Sequence, residues 1–128
     1  MRLAAWAAAS AGTMILDLLW LGLLARGFYR RQFGHLMSAR VVWPAALAFY
    51  VLYGAGVAYF CVLPAHQAGG LRAAAARGAM LGLLVYGTYD LTNMSVLRGW
   101  SAAGAGADVL WGVFLTAAVS AAAFLASR

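Results

Sequence analysis

The sequence has no lysine and no glutamate, a single cysteine and two prolines, and only 9% of its 128 residues are charged. A soluble domain carries about 25% charged residues, so this shortage excludes a soluble enzyme. It also excludes a disordered chain, which needs high charge and few apolar residues. Cys61 is alone, so no intramolecular disulfide forms and no CxxC-type metal motif exists. The net charge of +6 by itself suggests a polyanionic partner. The nine arginines, however, are scattered, mostly between apolar runs, as positive charge is in membrane proteins. A nucleic-acid-binding module is excluded on that pattern. What the chain has in excess is apolar surface, at 66% of residues against about 45–50% in a soluble domain.

The excess is organised. Four apolar stretches, at about 3–25, 41–63, 78–97 and 107–126, are each 20 to 23 residues long. About 20 helical residues cross a hydrocarbon core of roughly 30 Å, and lipid leaves no unpaired backbone group unpunished. The expectation is one domain, residues 1–128, all-α, an integral membrane protein built as an up-down four-transmembrane-helix bundle. Pro44 fits the first turn of the second helix, and Pro64 fits just beyond its end. Arg2, the run Leu3–Ala9 and Ala9-Ser10-Ala11 loosely resemble a secretory signal. Cleavage there would leave only Gly12–Ala25 apolar, so an uncleaved first helix is expected.

The connection 26–40 holds four arginines and His35, and reads as an interfacial amphipathic turn anchored by Phe28, Tyr29 and Phe33. Trp6, Trp43 and Trp100 lie near helix ends and read as interfacial belt residues. Let side A be the face holding the N-terminus and side B the opposite face. Side A then has Arg2, Arg72, Arg77 and Arg128; side B has Arg26, Arg30, Arg31, Arg40 and Arg98. The balance around the first helix favours side B as cytoplasmic, and the near-equal totals also permit dual topology. Gly78-x-x-x-Gly82 and Gly54-x-x-x-Ala58 are small-residue spacings that let helix backbones approach.

All three acids lie in or beside these stretches, where a carboxylate costs about 2.5–3.5 kcal/mol at mid-bilayer. Asp17 is nine residues before Arg26, about 13 Å of helix, and Asp90 is eight before Arg98, about 12 Å. Asp108 opens the fourth stretch on side B. The acids therefore gather in the B half. Thr13, Asp17, Trp20 and Leu24 share one helical face; Tyr86, Asp90 and Asn93 share another, with Tyr89 adjoining; Asp108, Trp111 and Leu115 share a third. Tyr50 and Tyr53 lie at similar depth. The bland alternative is structural, with Asp17 paired to Arg26 or Arg98 and Asp90 to Tyr86 or a backbone donor. Interhelical polar contacts average about 0.6 kcal/mol, less than the insertion cost of an acid, so a site explains three Asp better than glue does.

A short echo accompanies the acids: Asp17-Leu-Leu-Trp20 matches Asp108-Val-Leu-Trp111, and Tyr53-Gly54 matches Tyr86-Gly87. A duplication would be of inverted type, although matches this short are cheap in so biased a sequence. Sharper chemistry is missing. His35 and His66 fall on opposite sides and share no metal, and a Ser–His–Asp triad does not survive the topology. No haem or flavin motif is present, so no cofactor is expected. Cys61 reads as a small buried hydrophobe.

Four segments resemble an uncharacterised bacterial family, domain of unknown function 2177. They are Asp17-Leu-Leu-Trp20-Leu-Gly22 continuing through Phe28-Tyr29 to Gly34-His35-Leu36, and Phe49-Tyr50-Val-Leu-Tyr53 with Gly56 and Tyr59-Phe60. The others are Tyr86-Gly-Thr-Tyr89-Asp90-Leu-Thr-Asn93 ending in Leu97-Arg98-Gly99-Trp100, and Asp108-Val-Leu-Trp111-Gly112. The third segment is the most specific. The resemblance implies a multi-pass protein of the bacterial inner membrane and makes Asp17, Asp90, Asn93, Arg98 and Asp108 family features. It supplies no activity.

The candidate ligand-binding set is thus Asp17, Trp20, Tyr50, Tyr53, Tyr86, Tyr89, Asp90, Asn93, Arg98, Asp108 and Trp111. The expected function is binding of a cation, a proton or an amphiphilic, lipid-like ligand in an intramembrane acidic and aromatic pocket. Transport is an extension that would need a homodimer. Two alternatives stay open. One is an accessory subunit of a larger membrane complex. The other is a lipid-modifying enzyme with Asp17 or Asp90 as general acid or base and Tyr86 or Tyr89 assisting, for which no nucleophile is evident. Expected partners are membrane lipids and a second copy or larger complex, with no nucleic acid.

Overall fold

The computed structural model describes residues 2–128. Five helices account for almost all of them: α1 (Leu3–Leu24), α2 (Arg26–Phe33), α3 (Trp43–Gln67), α4 (Gly70–Val96) and α5 (Ala102–Ala126). No strand occurs among the described residues. Three helices, α1, α3 and α5, are long and apolar enough to cross a membrane. The 27-residue α4 is the longest, but Arg72, Arg77, Asp90 and Asn93 dilute its hydropathy.

The helices run past the apolar stretches where Ala-rich or capped segments allow it. α4 starts at Gly70, because Arg72 and Arg77 flank four alanines, the best helix former. α5 starts at Ala102, capped by Ser101, whose Oγ accepts the Gly104 N–H at 2.9 Å. The α3–α4 connection shrinks to a tight turn with Gly69 and Gly70 at φ 94° and 64°, which favours glycine.

Pro64 lies inside α3, not beyond it. A proline removes one helical N–H and clashes with the carbonyl four residues earlier, here Phe60. The helix widens just ahead of it into a π-turn at Ala58–Val62, and Arg77 of α4 donates to the Phe60 carbonyl at 3.3 Å. A residue that would break α3 is thus absorbed, and the freed acceptor is used to tie α3 to α4.

Cross-helix pairs fix the directions. Asp17 meets Tyr50, and Ser10 abuts Gly54, so α1 and α3 are antiparallel. Gly78 faces Thr116 and Ser120, and Gly82 faces Gly112, so α4 and α5 are antiparallel as well. The glycine spacings do what they suggest: a Cβ on Gly54 would meet the Ser10 backbone, and one on Gly82 the Gly112 carbonyl. The core is small and apolar, running through Ala5, Ala9, Val57, Ala58, Cys61, Val62, Ala74, Val119 and Ala123. The outside carries large apolar side chains, including Leu23, Leu24, Leu52, Leu110 and Phe114. Polar Thr13, Asp17, Asp90, Thr116 and Ser120 are buried instead. Apolar surface outside and polar groups inside is the arrangement a lipid solvent favours.

The arginine-rich connection forms a helix rather than a simple turn. Tyr29 and Phe33, four residues apart, share the inner face of α2 and are buried against the bundle, while Arg26, Arg30 and Arg31 are exposed. His35 in the following 3-10 turn bonds the Gly99 carbonyl at 3.0 Å, and Gln32 accepts from Ser101. These contacts fasten α2 over the α4–α5 connection and cap side B.

Candidate acidic and aromatic site

The acids meet beneath that cap. α1 opens into a π-turn at Trp20–Leu24, where the Ala25 N–H reaches back to the Trp20 carbonyl at 2.7 Å. Such single widened turns often occur at functional sites. Here the turn swings Trp20 across to α5. Its indole stacks on that of Trp111, with ring centroids 4.5 Å apart and planes 6° from parallel.

The stack sits inside a reciprocal network. Trp111 Nε1 on α5 donates to Asp17 Oδ1 on α1 at 3.1 Å. Trp20 Nε1 on α1 donates to the Tyr29 hydroxyl at 3.2 Å, and that hydroxyl donates to Asp108 Oδ1 on α5 at 2.9 Å. Each echo tryptophan therefore serves the other helix's aspartate, one directly and one through Tyr29. The second echo pair also meets: Tyr53 and Tyr86 pack edge to face at 6.2 Å. Matching α1 with α5 and α3 with α4 reverses chain order, which no tandem duplication generates. The echo is a matter of like side chains meeting across antiparallel helices.

Tyr50 completes Asp17, donating to Oδ2 at 3.3 Å. Every one of these donors is a neutral Trp or Tyr, not an arginine. Tyr29 lies outside the spanning helices, and burial raises its phenol above the ordinary tyrosine value, so it acts as the neutral donor. Asp90 differs. It is 1% exposed, and neither carboxyl oxygen meets a hydrogen-bond donor. It lies against Asp108 and Trp100, whose Nε1 is itself buried without an acceptor.

Two cavities adjoin the network. The first, about 370 Å³, is lined by Asp17, Leu21, Phe49, Val85, Tyr86, Tyr89, Asp108 and Trp111. It lies between α3 and α4, because α3 touches α4 chiefly through its second half. The second, about 330 Å³, lies under α2 and shares Leu21, Tyr89 and Asp108 with the first.

A family model described as a predicted membrane protein, DUF2177, matches residues 2–125. The chain belongs to this family. No curated protein and no solved structure matches it significantly. It is a membrane protein with three candidate spans.

In this DUF2177 protein, Asp17, Tyr86, Tyr89, Asp108 and Trp111 line the first cavity, with Trp20 stacked on Trp111 and Tyr50 bonded to Asp17. Tyr53 lies deeper and bonds Thr116 Oγ1 at 2.6 Å. Asp90 points into the α4–α5 seam, and Asn93 neighbours Tyr89. Arg98 is exposed on the α4–α5 turn and lines neither cavity. Asp108 lies in the second turn of α5, about 9 Å past Ala102, rather than opening that helix. Sequence reasoning left out Leu21, Tyr29, Phe33, Phe49, Val85 and Trp100. The spacing of Tyr29 and Phe33 was the available signal, since two aromatics four apart in an arginine-rich helix mark its inner face.

Proposed function

We propose that this protein crosses the bacterial inner membrane four times and binds a positively charged ligand (a cation, a proton or a cationic amphiphile) in its B-half pocket. The fourth crossing is α4. At about 40 Å it exceeds the hydrocarbon core. Its outward positions Met80, Leu83, Leu84, Leu91, Met94 and Val96 are apolar and exposed, while Asp90 faces inward.

The observation that carries the binding reading is the charge balance of the network. Asp17 and Asp108 receive neutral donors at the cavity walls, and Asp90 has Asp108 and the neutral Trp100 indole beside it. Three buried or half-buried acids beside neutral Trp and Tyr donors make a site whose charge favours a positive ligand. A proton or cation between Asp90 and Asp108 would complete it. In the A half the close approach of α4 to α5 at Gly78 and Gly82 favours binding over conduction.

Native mass spectrometry of the protein in mild detergent tests this. A defined adduct in the wild type that disappears in Asp17→Asn supports the pocket. A clean apo mass for both, with co-purifying protein instead, moves the reading to an accessory subunit.

A further inference from the structure

The second cavity has a composition of its own. Its walls include Tyr29, Phe33, Tyr89 and Trp100, together with Asp108. The rings form a continuous run: Tyr29 to Phe33 at 6.1 Å, Phe33 to Trp100 at 4.5 Å, and Trp100 to Tyr89 at 5.7 Å edge to face. They come from α2, from α4 and from the α4–α5 turn, and α2 adds its two rings through the contact of Phe33 with Trp100. Tyr29 and Phe33 are buried, while Tyr89 is 55% exposed.

Ring faces and one carboxylate discriminate between cations. A hard metal ion wants about six oxygen ligands, and this cavity offers one acid. A primary ammonium brings three N–H donors that need acceptors. A quaternary ammonium has no donor to satisfy. It gains from π-faces within about 6 Å, and aromatic cages recognise it on that basis. The adjoining first cavity, reached past Leu21 and Tyr89, adds apolar Phe49 and Val85 toward the gap between α3 and α4, where an alkyl tail would lie.

We propose that Tyr29, Phe33, Tyr89 and Trp100 form an aromatic cage, with Asp108 as counter-ion, for the quaternary ammonium head of an amphiphile whose tail occupies the first cavity. This rests on the pocket reading above and names its ligand class. The head belongs either to a simple cationic amphiphile or to a choline-type lipid, and the two share the trimethylammonium group.

The test uses the whole protein in a neutral maltoside detergent, with intrinsic tryptophan fluorescence as readout. The probes are dodecyltrimethylammonium, dodecylamine and dodecylphosphocholine, which leave the tail constant and change only the head. Dodecyltrimethylammonium should bind saturably and at least about 10-fold tighter than dodecylamine. Removing one ring face in Tyr89→Leu should weaken it about 2- to 30-fold, the range of a cation–π contact, while Tyr89→Phe should stay within about 2-fold. Tyr89 is exposed enough for both variants to fold. Asp108→Asn should weaken dodecyltrimethylammonium more than the zwitterionic probe. Equal binding of dodecylphosphocholine assigns the head to a lipid; its failure assigns it to a free cationic amphiphile. Equal affinity for the primary and quaternary heads, or an unchanged Tyr89→Leu, overturns the cage. If the native adduct still disappears in Asp17→Asn, the cage falls and the pocket stands; if no adduct exists either, both fall.

Discussion

On side A the four long helices meet through glycine, alanine and serine; on side B they meet through indole and phenol rings. In the A half, Gly78 and Gly82 lie so close to α5 that an added Cβ would run into Thr116 and Gly112 backbone. In the B half the same helices are held apart by Trp20, Trp111, Tyr53 and Tyr86, and α2 closes the end. Close packing gives membrane helices their association energy, so the A half holds the fold. Propping with rings gives up some of that contact and creates room lined by acids. Under the proposed function, the division assigns stability to one half and ligand chemistry to the other.

Substitutions can break or sharpen that division. The largest effect is expected at Gly82→Val. Its Cβ would meet the Gly112 carbonyl, a backbone atom that cannot swing aside. Overpacking should cost about 3 kcal/mol, read as unfolding in graded denaturing detergent. In the B half, Trp111→Phe keeps an aromatic ring against Trp20 but removes the donor to Asp17 Oδ1. A loss of roughly 1.5 kcal/mol follows from an unsatisfied buried acceptor, and a loss as large as at Gly82 would erase the contrast. Tyr53→Phe deletes the bond to Thr116 at the border of the halves, and an interhelical bond in lipid is worth about 0.6 kcal/mol. The smallest effect is expected at Gly87→Ala, where an added Cβ meets nothing within 4 Å. Its stability should hold or rise slightly, since alanine is better in a helix by about 1 kcal/mol.

How far this was legible in the sequence follows the same division. The four long helices, their antiparallel order and the glycine contacts come from run length, short connections and small-residue spacing, all of which are local, whereas α2 was read as a turn. Helix ends were less legible. The Arg72–Arg77 segment and the glycine-rich start of α5 lower the mean hydropathy, and hydropathy does not register alanine's propensity or the Ser101 cap. Pro64 misleads because the π-turn that absorbs it depends on the fit of α3 to α4. In the site, depth arithmetic gathered the acids, but their partners are set by tertiary packing. Nothing local says that Trp111 serves Asp17, or that Tyr29, which its spacing from Phe33 marks as inward, serves Asp108. Arg98 carried weight through the resemblance and stands outside both cavities.

The central claim is that the acids serve a ligand and not the fold. The direct measurement is the unfolding free energy of the triple variant Asp17→Asn, Asp90→Asn, Asp108→Asn. At position 17 the amide keeps one acceptor oxygen, for Trp111, and turns an NH2 toward the Tyr50 hydroxyl, which can rotate to accept it; at position 108 it keeps an acceptor for Tyr29. The change removes three carboxyl groups, each costly at mid-bilayer by about 2.5–3.5 kcal/mol when charged. The triple variant should fold and be at least as stable as the wild type, with its bound adduct gone. A fall of about 3 kcal/mol or more would show that the acids hold the helices together, and would contradict the claim.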